Sequence, residues 1–266
     1  MQSIAPSVSN RHEIFPPSEA SYSRCPNCCF DAWCLPANLA AHEAKKLNDR
    51  IEHRRLIKRN EYLHYAGMGL TSLFVIKSGF LKTKVTNRNG REQITGFSMA
   101  GELVGLDAIG EGKHQCDTAA LVDSHLCAIA YVAWEQLILE IPALQRHFHR
   151  AMSAEIVRDH GIMLLLGAMR AEERVGIFLL NLSMRFSARG YSGTHFMLPM
   201  TRQDIASYLG LKMETVSRVF SHFHNNQVIA INNKNVEIRS LARLQEIVGD
   251  YEPGRFPAPR TKSDTC

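Results

Sequence analysis

The residues best suited to chemistry crowd near the start of the chain. Four of its seven cysteines, Cys25, Cys28, Cys29 and Cys34, fall within ten residues, while Cys116, Cys127 and Cys266 are scattered. Thiolates are soft ligands, and close spacing in a reducing compartment points to zinc or iron–sulfur binding rather than disulfides. The spacing Cys25-x2-Cys28-x5-Cys34 puts three thiolates on a short loop able to wrap one face of a cubane, with a fourth ligand from elsewhere. A zinc knuckle would more typically bring a second C-x2-C pair close by, and the sequence has none. A metal-free switch built on disulfides among the same four cysteines is a further reading; it would survive iron chelation and respond to reductant.

A second constellation lies on one predicted helix, from about Lys212 to Asn225. Val216, Val219, Phe220 and Phe223 share one face, and Glu214, Ser217, Arg218 and Ser221 share the other at i, i+3, i+4 and i+7. Arg matches the O6 and N7 of guanine with a fork of donors, and Glu accepts from the amino group of cytosine. A surface ion pair between Glu214 and Arg218 is the plainer alternative. The context favours base reading, because Thr201-Arg202-Gln203-Asp204 opens a preceding helix with a capping box and Gly210 suits a sharp turn between the two. Thr201, Arg202 and Ser221 join the candidate DNA contacts. The run Val228 to Ile238 reads as the wing of a winged helix–turn–helix, with Lys234 as a phosphate contact.

The elements that position these groups follow from changes of texture along the chain. Residues 1–24 read as a flexible arm rich in Pro and Ser, and residues 25–50 as the cysteine segment with a short helix from Leu39 to Ile51. From 51 to 135 many short apolar runs alternate with turn residues, as in a β-roll or small barrel. Asn89-Gly90 predicts a tight primed hairpin turn. From Trp134 to Met169 the spacing becomes helical, and Leu144, Phe148, Met152, Ile156, Asp159, Met163 and Leu166 form a heptad-like stripe suited to an identical partner helix; one face of a buried intramolecular helix is the plainer alternative. Residues 136–169 are assigned to dimerisation, with Asp159 either a like-charge brake on the seam or a residue at its solvent edge. Residues 170–250 form the DNA-binding domain and 251–266 a flexible tail. The fold class is thus α+β: β-roll, long helix, winged helix–turn–helix.

Composition narrows the function. Of 266 residues 45% are hydrophobic and 21% charged, an ordinary globular balance, and the net charge of +5 permits nucleic-acid binding without requiring it. The sequence offers no apolar run long enough for a membrane span and no secretory signal, so it reads as cytoplasmic. The twelve histidines are scattered, with no nucleophile–base pairing, P-loop or dinucleotide fingerprint, which argues against an enzyme.

The cysteine loop, Glu92-Gln93-Ile94-Thr95-Gly96-Phe97, Gly101 to Gly110 and Glu214-Thr215-Val216-Ser217-Arg218 together resemble the oxygen-sensing FNR proteins of the wider FNR and cyclic-AMP receptor protein family. The likeness runs from about Cys25 to Ile247. It implies a β-roll of the cyclic-nucleotide-binding type and an oxygen-labile [4Fe–4S] cluster on Cys25, Cys28, Cys34 and Cys127. It also implies a homodimer on a palindrome with TTGAT-like halves, read by Glu214, Ser217 and Arg218. Oxygen would convert the cluster, weaken the dimer and release the DNA. RNA polymerase is the implied protein partner, and the loop Gly110 to His114 is a candidate exposed patch for it. Proteins resembling the cyclic-AMP receptor hold the cyclic phosphate with an Arg-Ser pair; here Gly112-Lys113-His114-Gln115-Cys116-Asp117-Thr118 lacks the Arg and adds an acid, so no cyclic nucleotide is expected. Cys29, beside Cys28, is an extra thiol able to compete as a ligand. Trp33 is a candidate oxygen shield, and Cys116, in a polar turn, reads as a plain buried or surface thiol.

Overall fold

Apolar alternation builds the first half of the fold in a computed structural model that describes residues 39–249, the side chains of residues 52–54 excepted. The three clustered ligand candidates Cys25, Cys28 and Cys34, with Cys29, Trp33, the N-terminal arm and the C-terminal tail, lie outside the described residues. A short helix α1 (Ala41–Asp49) comes first, its start closed by Glu43, which accepts from the Ala40 amide at 2.8 Å.

Eight strands follow: β1 (Ile51–Ile57), β2 (Tyr62–His64), β3 (Ser72–Ser78), β4 (Phe80–Thr86), β5 (Glu92–Met99), β6 (Leu103–Val104), β7 (Asp117–Ala120) and β8 (Ser124–Ala130). They pair antiparallel into two four-stranded sheets, β1-β8-β3-β6 and β2-β7-β4-β5. Ile57, Phe74, Ile76 and Leu126 of the first sheet bury against Leu63, Leu81 and Ala120 of the second. This is the expected β-roll. At the β3–β4 junction Gly79 has φ +109°, and an added Cβ would lie 2.6 Å from the Ser124 Cα. Only glycine fits there. The β4–β5 connection differs from the primed two-residue turn expected at Asn89-Gly90. It is a five-residue loop in which the Asn87 Oδ1 accepts from the Asn89 and Arg91 amides at 2.9 and 3.0 Å. The Asn87 side chain substitutes for a backbone acceptor, which sets the longer loop.

The helical stretch expected from Trp134 to Met169 is two helices, α2 (Tyr131–Glu140) and α3 (Pro142–Ala168). Pro142 has no amide proton to donate and drives Ile141 to an extended conformation, so one helix ends and the next begins there. The stripe on α3 also divides. Leu144 and Phe148 are buried with Leu47, Leu73, Ile129 and Trp134 against the outer side of the first sheet, and Met152 packs at the edge of that cluster. Leu165, near the other end of α3, is buried in the core of the C-terminal domain. Ile156, Met163 and Leu166, with Asp159 between, remain exposed. The first part of the presumed dimer seam is therefore an intramolecular anchor: helical periodicity reports an apolar face and not what covers it.

The last third comprises α4 (Ala171–Ala188), β9 (His195–Met197), α5 (Arg202–Leu209), α6 (Met213–Asn225), β10 (Ile229–Asn232), β11 (Asn235–Ile238) and α7 (Leu241–Val248). The three strands form an antiparallel sheet in the order β10-β11-β9. Among the described residues, no helix is long and apolar enough to cross a membrane.

Candidate nucleic-acid interface and sensory face

Local chemistry sets the two helices that face a ligand. Thr201 caps α5 by accepting from the Asp204 amide at 3.0 Å, and Asp204 returns the bond by accepting from the Thr201 amide at 2.8 Å. Gly210 ends α5 at φ +61°, a left-handed conformation that any side chain resists. The next helix, α6, buries Val216, Val219, Phe220 and Phe223. Burying each such side chain is worth about 1.5–3 kcal/mol, so the inward face of α6 is fixed and the opposite face is committed to solvent.

On that outer face Glu214, Arg218 and Ser221 are exposed and Ser217 is half-buried. Glu214 and Arg218 form no ion pair with each other among the described residues, so the plain surface pair is not what the structure holds. Arg202 is placed differently from its expected role: its guanidinium lies 3.6 Å from the centre of the Phe220 ring, half-buried. It braces α5 on α6 before it can touch anything else. Thr201 is exposed beside it at the helix start. Lys234 sits in the two-residue turn between β10 and β11 and donates to the Pro199 carbonyl at 3.2 Å, which ties the wing to the segment before α5.

Cys127 lies in the middle of β8, opposite Arg54 of β1 and Val75 of β3. It is half-buried and alternates with the inward-facing Leu126 and Ala128, so it belongs to the outer face of the sheet. Ile129, two residues on, shares that face and packs with Leu47 of α1 and with Leu39. Leu39 therefore lies on the sheet face that bears Cys127.

Two further polar groups, not singled out from the sequence, join the roll to the DNA-binding unit. Glu102, in the β5–β6 turn, accepts from Arg185 of α4 at 2.8 Å and from Arg189, the residue just past its end, at 2.7 Å. Burial alone would raise its pKa, but the guanidinium groups of Arg185, Arg189 and Arg158 outweigh that and bring it down to about 2. Lys82 of β4 donates to Asp204 at 2.7 Å. Burial again opposes the carboxylate, and the bonds from Lys82 and Thr201 hold its pKa below the ordinary range. Phe80, Ile94, Phe97 and Met99 of the roll share one core with Phe178, Ile205 and Phe220. The spacing of Arg185 and Arg189 at the end of an apolar helix was the available signal, but nothing local named Glu102 as their partner.

Of the two settings expected for Cys116, buried or surface, the structure has the buried one. The thiol donates to the Asp107 Oδ2 at 3.0 Å. Burial and the neighbouring Asp107 push its pKa up. The loop Gly110 to His114 is not wholly exposed: His114 is buried, stacked on His64 with ring centres 3.6 Å apart, and 3.2 Å from the Asp107 Oδ1 through its Nδ1. Burial and the adjacent His114 lower the His64 pKa to about 4, so its ring is neutral. The chain doubles back here on short hydrogen-bonded segments, and the Gly67 amide donates to the His114 carbonyl at 2.8 Å.

Comparison with known proteins accounts for both halves. Residues 54–140 match the cyclic nucleotide-binding domain family and residues 173–247 the Crp-like helix-turn-helix domain family. The chain is 39% identical over 233 residues to the transcriptional regulatory protein btr of Bordetella pertussis, covering 88% of this chain and 96% of that one. It is 40% identical over 225 residues to the fumarate and nitrate reduction regulatory protein of Escherichia coli K12, covering 85% and 90%. FixK2 from Bradyrhizobium japonicum superposes with a TM-score of 0.69 at 24% identity, over 75% of this chain and 98% of that one, which speaks to the fold alone. With a helix–turn–helix carried on a β-roll and regulators of this kind matched over nearly their whole length, the chain belongs to the FNR-type transcription regulators of the Crp/Fnr family.

Proposed function

We propose that this regulator senses oxygen through a [4Fe–4S] cluster held by Cys25, Cys28, Cys34 and Cys127. The observation that carries the reading is the setting of Cys127: a half-buried thiol in mid-strand, on the sheet face where Leu39, five residues beyond Cys34, packs. Five residues of chain reach at most about 17 Å, enough for a loop to return to that face. Four thiolates suit such a cluster, whose redox chemistry supplies the response to oxygen. The protein's own part is to present those thiolates beside α1 and the root of α3, so that a change at the loop bears on the helix that leads to the DNA-binding unit. A relative named for fumarate and nitrate reduction supports the same reading, and the site of action is the cytoplasm.

In the active form the chain is a homodimer joined through Ile156, Met163 and Leu166 of α3, with Met152 at its edge and Asp159 as the opposing charge. Each protomer reads a TTGAT-like half-site through Glu214, Ser217 and Arg218 on α6, with Thr201, Ser221 and Lys234 toward the phosphates and Arg202 bracing the unit. RNA polymerase is the partner at the promoter, and cyclic AMP is not a ligand.

The decisive experiment is purification without oxygen, analysis of iron and sulfide, and then admission of air while binding to a TTGAT palindrome is followed. A brown protein with about four irons per chain, whose colour and DNA binding decay together, is expected. A colourless protein that binds equally with and without air sinks the oxygen reading and leaves the DNA-binding one intact.

A further inference from the structure

Inside the roll, far along the chain from the cysteine loop, three unlike ligand types converge. His64 closes β2, Asp107 lies in the 3-10 turn Leu106–Ala108, and Cys116 immediately precedes β7. One donor atom from each lies within 4.8 Å of the other two. His64 is only 3% exposed, and neither ring nitrogen has a hydrogen-bond partner among the described residues. Imidazole nitrogens are almost always partnered when buried, so a lone pair left aimed into a pocket of donors calls for an occupant.

We propose that His64, Asp107 and Cys116 form a buried site for a zinc-class divalent cation, separate from the four cysteines assigned above. The donor set suits it: imidazole nitrogen, carboxylate oxygen and thiolate sulfur are the three ligand types zinc takes, at about 2.0–2.3 Å. Arms of that length in a tetrahedron leave donors about 3.3–3.6 Å apart, so the cluster closes on the ion by a side-chain adjustment of roughly 1 Å. Charge matches as well. One carboxylate and one thiolate neutralise a divalent ion, while the histidine adds none, so the occupied site is neutral within an apolar roll. On binding, a bond forms from the Cys116 Sγ to the metal, the S–H bond breaks and the proton leaves to solvent. The fourth position is left for water.

His114 is a positioning residue in this site. Its ring is parallel to that of His64 within 9°, so its lone pairs do not converge on the same point. It instead contacts the Asp107 Oδ1 at 3.2 Å, while the Gln115 amide donates to the Oδ2 at 2.8 Å. Outer contacts of this kind orient a ligating carboxylate.

Cobalt(II) is the probe, titrated into the full chain carrying Cys25→Ser, Cys28→Ser, Cys29→Ser, Cys34→Ser and Cys127→Ser, so that the cluster cysteines cannot supply the signal. One equivalent is expected to bind with tetrahedral visible bands and a thiolate-to-cobalt absorption, both displaced by zinc. Adding Cys116→Ser is expected to remove the thiolate absorption, and His64→Phe, which keeps a stacking ring, to weaken binding at least about tenfold. Absence of the thiolate absorption in the parent chain overturns the proposal, as does its survival in Cys116→Ser. Unchanged affinity in His64→Phe overturns it too; should that variant fail to fold, Asp107→Asn is read in its place. None of these outcomes depends on whether the cysteine loop binds a cluster.

Discussion

Arg218 and Arg202 differ in role although both belong to the helix–turn–helix. Arg218 is exposed on the outer face of α6, while Arg202 is pressed on the Phe220 ring. For Arg218→Ala the expected cost is in recognition: a bidentate contact to guanine is worth about 1–3 kcal/mol of discrimination, roughly 5- to 150-fold in Kd. The melting temperature should not move. Arg202→Ala should lower both Tm and DNA affinity, since the residue braces one helix on the other. Binding by fluorescence anisotropy at fixed salt, beside thermal melts, separates the two; a Tm loss in Arg218→Ala would contradict the assignment. The exposed face of α6 was legible in the sequence because four apolar residues at helical spacing leave one opposite side. The packed role of Arg202 was not, because nothing local tells an arginine at a helix start that an aromatic ring on the next helix will lie beneath it.

At the scale of elements, what could be read depended on whether the signal was local. The cap at Thr201 and Asp204, the glycine turn at 210 and the wing all announce themselves within a few residues, and all form as expected. Thr201→Ala should therefore cost about 1 kcal/mol, the usual worth of such a cap, measured by denaturant unfolding. Pro142 was an equally local signal, inside the stretch read as helical from Trp134 to Met169. The division of that stripe yields a sharper test of the dimer. Ile156 and Met163 are 53% and 63% exposed in the single chain, so Ile156→Glu or Met163→Glu should abolish dimers while leaving monomer stability within about 0.5 kcal/mol. Leu144→Ala, in contrast, should destabilise the monomer by about 2–5 kcal/mol. Asp159→Ala should promote dimers of the cluster-free protein in sedimentation; a chain that stays monomeric removes the brake.

Across the whole molecule the decisive contacts join segments with no shared local pattern. Glu102 meets Arg185 and Arg189, Lys82 meets Asp204, and Phe97 stacks near Phe178 and Tyr208, so the roll and the DNA-binding unit share a core. Sequence patterning identified each half and was silent on how they dock, because docking pairs charges and rings many residues apart. Calorimetry should accordingly show one cooperative transition for the two halves. The Glu102 pKa is about 2 in the folded chain against an ordinary 4.5, so its stabilising contribution is complete above about pH 4.5. It is lost as pH falls from there through the folded value. Glu102→Gln should lower stability at neutral pH and flatten this acid dependence, which pH-resolved unfolding would detect; an unchanged slope would mean the arginines hold Glu102 too weakly to matter.

Helix α3, about 40 Å long, is rooted at one end by Leu144 and Phe148 outside the roll and at the other by Leu165 in the DNA-binding core. Such a rod behaves as a drive shaft, since its ladder of backbone hydrogen bonds resists winding and rotation imposed at one end arrives at the other. Successive residues are spaced about 100° around it, so a roll of only about 60° exchanges Ile156 for Asp159 at its most prominent position. One mechanical variable, the angular setting of the shaft, thereby decides whether its exposed side is led by an apolar group or by a charge.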